Sequence, residues 1–225
     1  MSTQIYANVD VVNFCYQNNE LKVILWKRDR EPNLNQLALP GVTIKGEGKG
    51  DGIQEALDRL FTERLKVKSS YLEQVSTTCN SYRDDRGWSM STVYLSISVW
   101  DDNLDSSLEA VKYEDIASGK VKLPFDHNTM VISAKERLVS KSTYSSLPLM
   151  FLSKNSFTIS ELTLVYKACV NEKVQEITVR KRVEFLQKLG HIDLTGEKGK
   201  GKGRPKLIYN HIGNIYYFDR SILCK

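Results

Sequence analysis

No apolar run in this chain approaches eighteen residues, so the sequence offers no candidate membrane-spanning helix. Its start, MSTQIYANVD, lacks the basic stretch and apolar core of a secretory leader, and the expectation is a cytoplasmic protein with no membrane partner. Cysteine is sparse: Cys15, Cys79, Cys169 and Cys224 lie far apart, with no C-x-x-C pair and no histidine cluster. That spacing argues against a disulfide framework and predicts reduced thiols without a metal site.

What remains is ordinary for a globular protein. The 225 residues are 41% hydrophobic and 26% charged, enough chain for one large or two modest cores. The net charge of +5 is unevenly divided. Residues 151–225 carry 14 Lys+Arg against 7 Asp+Glu, or +7, while residues 1–150 carry 18 against 20, or −2. A basic module therefore sits at the C-terminal end, and polyanion binding is expected there alone.

The basic module has a readable order. In TGEKGKGKGRPKLIYN, Lys198, Lys200, Lys202, Arg204 and Lys206 alternate, mostly with glycines, and in an extended hairpin alternate side chains share a face. The run also fits G-x-x-x-x-G-K, but Gly203 stands where a phosphate-binding loop needs Ser or Thr, and no helix-forming run follows. A solvated Lys/Gly hairpin with no ligand is the bland alternative. Upstream, Val179, Val183, Leu186 and Leu189 recur at helical spacing, with Thr178 as a plausible cap and Arg180, Lys181 and Arg182 in the first turns. Before that, Thr158 or Ser160 with Glu161 opens a helix whose apolar face is Leu162, Val165, Tyr166 and Cys169. Val174 to Ile177 reads as a turn or short second helix, and Ile215 to Leu223 is too apolar for a loose tail. Helix, short strand, basic loop, strand is the winged-helix order, which places Arg180–Arg182 in or beside the major groove and Arg204-Pro205 at the minor groove.

The N-terminal part reads as a mixed sheet. Gln4 to Phe14 and Lys22 to Lys27 are strand-like around a polar Gln17-Asn18-Asn19-Glu20 turn, and Ser91 to Trp100 alternates. Ile53, Ala56, Leu57, Leu60, Phe61 and Leu65 mark one face of a helix, with Asp51 near its start. Met130 to Leu138 is a shorter helix, and Ser140 to Thr158, serine-rich with Pro148 and with an apolar patch at Leu147–Leu152, reads as the link between domains.

LPG, a glycine-containing loop and EA-x-x-R-x-x-x-E resemble a Nudix domain, whose box runs G-x5-E-x7-R-E-U-x-E-E-x-G-U with U apolar. Arg59 falls on the box arginine and Glu63 on the first glutamate of its E-E pair, while Leu60, Arg64 and Lys66 replace a glutamate, a glutamate and the glycine. Glutamates one turn apart suit hard cations, so these replacements point to a domain kept for binding, with no catalytic residues and no metal. YLEQ, R-D-x-R-G, FDH and the terminal G-R-P-x-L-x-Y make the chain, over essentially its whole length, similar to the Nudix-related transcriptional regulators of NAD metabolism.

That resemblance implies a Nudix-like α/β/α sandwich with a mixed sheet over 1–145, a linker over 146–157 and a winged helix-turn-helix domain over 158–225. It implies a homodimeric repressor on double-stranded DNA, without a required cofactor, released by ADP-ribose or a related NAD-derived nucleotide. Arg28, Arg59, Glu63, Arg83, Arg86, Trp88 and His127 are the expected ligand residues; Thr178, Arg180, Lys181, Arg182, Lys198, Lys200, Lys202, Arg204 and Lys206 are those for DNA. Residue chemistry leaves some alternatives open. Arg59 and Glu63 also fit an i, i+4 ion pair, Arg83 to Trp88 a solvated hairpin tip, and His127 a structural histidine. Two other functions compete: an active Nudix ADP-ribose pyrophosphatase with an accessory nucleic-acid domain, and a module for RNA or acidic protein. Arg204→Ala and Lys200→Ala are each expected to weaken duplex binding and to lower its salt slope by about 1. Anisotropy titrations at several salt concentrations check this, and unchanged binding in both would remove the wing from the interface.

Overall fold

The computed structural model describes residues 5–46, 50–170, 172–199 and 206–223. The chain divides into two compact units, one formed by residues up to Cys15 with Leu21–Lys135, the other by Tyr16–Glu20 with residues from Glu136 onward.

The first unit is built on a seven-stranded mixed sheet. Strands β1 (Tyr6–Gln17) and β2 (Glu20–Lys27) form a hairpin whose Asn18 and Asn19 have φ of 55° and 63°. Two left-handed residues in succession suit a two-residue turn whose twist matches the strands, which is why asparagines serve there. The strand path runs β3 (Leu37–Ala38), β2, β1, β6 (Ser89–Ser98), β5 (Ser69–Asn80), with β4 (Gly41–Thr43) on β1 and β7 (Leu108–Lys112) on β2. β1 and β6 are parallel, from Tyr6 opposite Ser89 to Phe14 opposite Ile97.

One face of this sheet is covered by α1 (Ile53–Arg59) and the π-helical turn Leu60–Leu65 that continues it. Val9, Val11, Cys15, Ile24 and Trp26 join Ala56, Leu57, Leu60 and Leu65 in one core, and Phe61 packs against it. Ile53 was expected on that face; it is 40% exposed at the first helical position, where the chain has not yet reached the sheet. The π turn closes with Lys66 N–H donating to the Phe61 carbonyl at 2.8 Å, and Lys66 then turns left-handed at φ 50°. Lys66 thus adopts the conformation that the box's glycine takes easily, anchored by Asp105 at 2.7 Å.

Leu60 is wholly buried. The position where the box places a glutamate is therefore core, and its side chain stabilises the domain by about 2 kcal/mol.

The last helix of the first unit, α3 (His127–Tyr144), begins there and ends in the second. It exceeds the expected Met130–Leu138 because polar Ser140, Ser142 and Thr143 mask its helical pattern. Thr143 and Ser145 return their hydroxyls to the carbonyls of Val139 and Lys141 at 2.8 and 2.7 Å, a local bond compatible with helix. Within 146–157, Leu147–Phe151 forms a 3-10 turn in which all five residues are buried. Its apolar content outweighs the serine and proline signals, and this stretch belongs to the second unit's core.

In that unit, α4 (Ile159–Cys169) starts at a capping box: Thr158 Oγ1 accepts from the Glu161 N–H at 3.3 Å, and the Glu161 carboxylate accepts from the Thr158 N–H at 2.7 Å. Leu162, Val165, Tyr166 and Cys169 are buried as the spacing predicts. α5 (Glu176–Lys188) follows after a turn; its cap residue is Gln175, and Thr178 lies inside the first turn. Among the described residues no separate helix covers Val174 to Ile177, because Glu176 and Ile177 already belong to α5. Gly190, at φ 73°, ends α5: its N–H donates to the Gln187 carbonyl at 3.0 Å, and the His191 N–H to Leu186 at 2.9 Å. Leu189, read as part of the apolar stripe, is 48% exposed in this terminating turn. β8 (Ile192–Gly199) and β9 (Lys206–His211) pair antiparallel, completing the winged helix-turn-helix order. The C-terminal segment docks on this unit, with Phe218 and Ile222 N–H groups donating to the carbonyls of Tyr144 and Thr143 at 2.6 and 2.9 Å.

Restoring the box acids as Leu60→Glu with Arg64→Glu is therefore expected to destabilise the protein by about 3 kcal/mol or more, because one carboxylate enters an apolar core. Urea unfolding of this double variant, with and without magnesium, checks it; an unchanged midpoint would contradict the burial of position 60.

Candidate ligand cleft and nucleic-acid face

The first unit carries a cleft of about 880 Å³. Its lining is strongly cationic: Arg28, Arg30, Lys45, Arg59, Arg64, Arg83 and Arg86 against Asp10, Glu63 and Asp84. β1 supplies Asp10, the end of β2 leads into Arg28 and Arg30, the Nudix helix supplies Arg59, Glu63 and Arg64, and the β5–β6 turn supplies Arg83 and Arg86.

These cations differ in how they are already engaged. Arg59 pairs with Asp51 instead of Glu63, since the helix widens after Arg59 and departs from the i, i+4 register. Asp51 also accepts from the Lys45 N–H at 3.1 Å; the Lys45 amide first, and then the Arg59 guanidinium, hold its carboxyl below the usual range. Arg64, which the box reading treated only as a lost ligand, lies over the Trp26 ring at 4.1 Å and pairs with Asp29 at 3.0 Å. Arg83 was expected to grip a ligand, yet its side chain is 4% exposed. Its Nε and Nη2 donate to Asp126 at 3.2 and 3.1 Å and its Nη1 to Ser89 at 3.0 Å, so its fork is occupied inside the protein.

Arg86 is more open, in a two-pronged pair with Asp84 at 2.6 and 2.9 Å and over the Tyr6 ring. Burial works to raise the Asp84 carboxyl, but the Arg86 bonds prevail and hold it below its ordinary value. Arg28 makes no ion pair among the described residues: its Nε donates to the Pro32 carbonyl at 2.7 Å and its plane lies over Phe125. Burial, then repulsion from Arg86 and Arg30, lowers the Arg28 pKa, the mark of a site short of negative charge. Arg28 is thus the cation best placed for an incoming anion, with Arg86 beside it.

His127 lies on the cleft floor, buried; its Nδ1 accepts the Leu39 N–H at 3.0 Å. Burial lowers its pKa, and the ring is neutral at pH 7. It is therefore both the structural histidine and a lining residue. Trp88 does not line the cleft; its carbonyl accepts the Tyr6 N–H at 3.2 Å, which fixes it as a strand partner. Sequence reasoning missed Asp10 and Phe125. Asp10 was detectable as a lone acid in the apolar strand VDVVNF, and Phe125, at φ 58°, stood in the FDH motif without a role assigned to it.

In the second unit, Arg180 is partly exposed and pairs with Glu176 at 3.0 Å, and Lys181 is exposed. Arg182 is a correction. It is buried, donating to the carbonyls of Thr143 and Arg220 at 2.9 Å each, with its plane 4.1 Å from the Phe218 ring centre. At three residues after Val179 and four before Leu186, it stands on the apolar stripe and cannot reach a groove. Lys206 is exposed at the start of β9. The backbone of Lys198 lies in β8, while its side chain and all of Lys200, Lys202 and Arg204 lie outside the described residues.

A cationic cleft beneath a Nudix helix, together with a helix-turn-helix and wing, defines the class: a Nudix domain joined to a winged helix-turn-helix module. No protein-family model matches the chain. NrtR of Shewanella oneidensis is 30% identical, covering 96% of this chain and 99% of its own with a TM-score of 0.83, and the chain belongs to the NrtR family. The same NrtR crystallised with a 27mer DNA is 29% identical with a TM-score of 0.83, covering 96% of this chain and 98% of its own. Its Nudix domain complexed with ADP ribose is 30% identical, covering 61% of this chain and 90% of its own, with a TM-score of 0.53. The ADPR responsive transcriptional repressor NtrR of Acinetobacter baylyi is 26% identical over 218 residues, 94% of this chain and 84% of its own length.

Arg182→Ala is expected to lower stability by about 2 to 4 kcal/mol, because several buried carbonyls lose their donor. Lys181→Ala should leave stability within about 0.5 kcal/mol and instead weaken duplex binding with a salt slope lower by about 1. Urea unfolding beside anisotropy checks both, and a stable Arg182→Ala protein with selectively lost binding would return Arg182 to the DNA face.

Proposed function

We propose that this protein is a transcriptional repressor of NAD metabolism genes whose winged helix module holds operator DNA and whose Nudix domain takes ADP-ribose or a related nucleotide as the signal that releases it. Residues 1–145 act as the sensor and 158–225 as the DNA-binding domain, in a cytoplasmic homodimer whose two copies match a two-fold operator. The observation that carries the reading is the cationic cleft beside a Nudix helix whose acid positions hold a core leucine and a paired arginine. A diphosphate finds the unpaired Arg28 and the partly open Arg86 there, whereas a magnesium cluster finds only Glu63 from the box pair. Binding without hydrolysis follows. Two relatives support it: one is an ADPR responsive transcriptional repressor, and the other was crystallised with a 27mer DNA and, as its Nudix domain, with ADP ribose.

Release needs only a coupling of about 1 to 3 kcal/mol, a 5- to 150-fold change in DNA affinity. The test is fluorescence anisotropy on duplex selected from a random pool, with ADP-ribose titrated at fixed salt because phosphate contacts make affinity salt-dependent. Specific binding should fall at micromolar ADP-ribose and be indifferent to AMP, and magnesium should yield no AMP from ADP-ribose. Binding untouched by ADP-ribose would overturn the sensor reading, AMP production would favour the pyrophosphatase, and preference for RNA over duplex would overturn the repressor.

A further inference from the structure

One carboxylate in the cleft is out of keeping with its surroundings. Asp10 sits on β1 with a side chain only 9% exposed, on the wall of a cavity otherwise dominated by arginines. Its Oδ2 is used: it accepts from the Ser91 hydroxyl at 2.5 Å and lies 3.7 Å from Arg83 Nη2. Its Oδ1 accepts no hydrogen bond among the described residues, and the nearest ring nitrogen, His127 Nε2, is 4.0 Å away. The backbone is shaped to hold this oxygen, because a Cβ on Gly41 would lie 2.0 Å from it. That approach is the reason for glycine after Pro40.

The neighbouring histidine has a fixed role. Nδ1 accepts the Leu39 N–H, so the proton of the neutral ring is on Nε2, the nitrogen 4.0 Å from Asp10 Oδ1. An acceptor and a donor 4.0 Å apart are too far for each other. A single oxygen about 2.8 Å from both fits between them, with its own bonds meeting at about a right angle. Such an oxygen must donate and accept at once, which a hydroxyl does and a phosphate oxygen or ether does not. A phosphate would also be repelled by the carboxylate. The nearby Asp126 carboxylate is taken by Arg83, and among the described residues no group of three ligating side chains that could hold a metal ion exists.

We infer that Asp10 and His127 form a hydroxyl-reading site, selecting a ligand that carries a free sugar hydroxyl at a fixed distance from its phosphates. The inference rests on the sensor reading, and it assigns Asp10 a role in specificity: Arg28 and Arg86 attract the anionic middle of the ligand, and the Asp10–His127 pair checks a ribose. A ligand whose hydroxyl is missing leaves a buried acceptor and a buried donor unmatched, which should weaken binding about 10- to 100-fold.

The experiment is calorimetric titration of the full-length protein with ADP-ribose and with its 2′-deoxy, 3′-deoxy, 2″-deoxy and 3″-deoxy analogues. The wild-type protein should bind at least one analogue about 10- to 100-fold more weakly than ADP-ribose. In Asp10→Asn the Ser91 hydroxyl keeps the amide oxygen on its side, turning a donor toward the ligand, so the preference for that hydroxyl should fall to within about threefold. Equal binding of all four analogues by the wild-type protein, within about twofold, would overturn the site and mean that water alone fills the gap. The same discrimination in a folded Asp10→Asn protein would overturn the role of Asp10. The analogue series needs no variant, so a poorly folded Asp10→Asn leaves the test intact. Absence of ADP-ribose binding by the wild-type protein would instead bring down the sensor reading and this site with it.

Discussion

A guanidinium taken almost wholly out of water must have its N–H groups met by oxygen acceptors, and the first unit is arranged around one such group. Arg83 reaches from the β5–β6 turn to Asp126 just before α3, to Ser89 at the start of β6, and toward Asp10 on β1. Removing the Asp126 carboxylate would strip this buried charge of its two-pronged partner, a far larger cost than losing an exposed pair. Arg83 thereby ties Asp10 to Ser89 and Asp126, while His127 is placed by its own bond to the Leu39 N–H. The more exposed cations of the cleft, Arg28 and the Asp84-paired Arg86, are the ones left to meet a ligand.

The second unit repeats the device with different chemistry. Among the described residues Arg182 pairs with no carboxylate; main-chain carbonyls and two aromatic rings surround it, those of Tyr166 and Phe218. It fastens α5 to residues 143–145 and to the C-terminal segment. Its neighbours Arg180 and Lys181 point outward from a helix whose orientation Arg182 has fixed within the unit. A run of three cations is thus divided into one that positions and two that are presented.

Much of this was legible in the sequence and some was not, for reasons that differ by residue. The Asn18-Asn19 turn, the Thr158–Glu161 capping box and the apolar face of α4 follow from local chemistry, where a residue's own preference decides. Arg182 was misassigned because composition groups it with Arg180 and Lys181, although its spacing from Val179 and Leu186 already placed it on the buried stripe. Arg83 looked like a ligand contact because a sequence shows a guanidinium but not the Asp126 carboxylate 43 residues away that occupies it. The π turn after Arg59 likewise has no local signature, and it moved the partner of Arg59 from Glu63 to Asp51.

Leu60 has a meaning beyond its role in packing. A catalytic acid and a core leucine make incompatible demands on one position, since the first needs water and metal, the second their exclusion. Leu60 shares one buried apolar cluster with Val11, Ile24 and Leu65, a setting that disfavours an acid. A lineage holding this arrangement cannot drift back to an acid one substitution at a time without passing through an unstable intermediate. Packing of this kind works as a ratchet, fixing the domain's history more firmly than the loss of a surface ligand would.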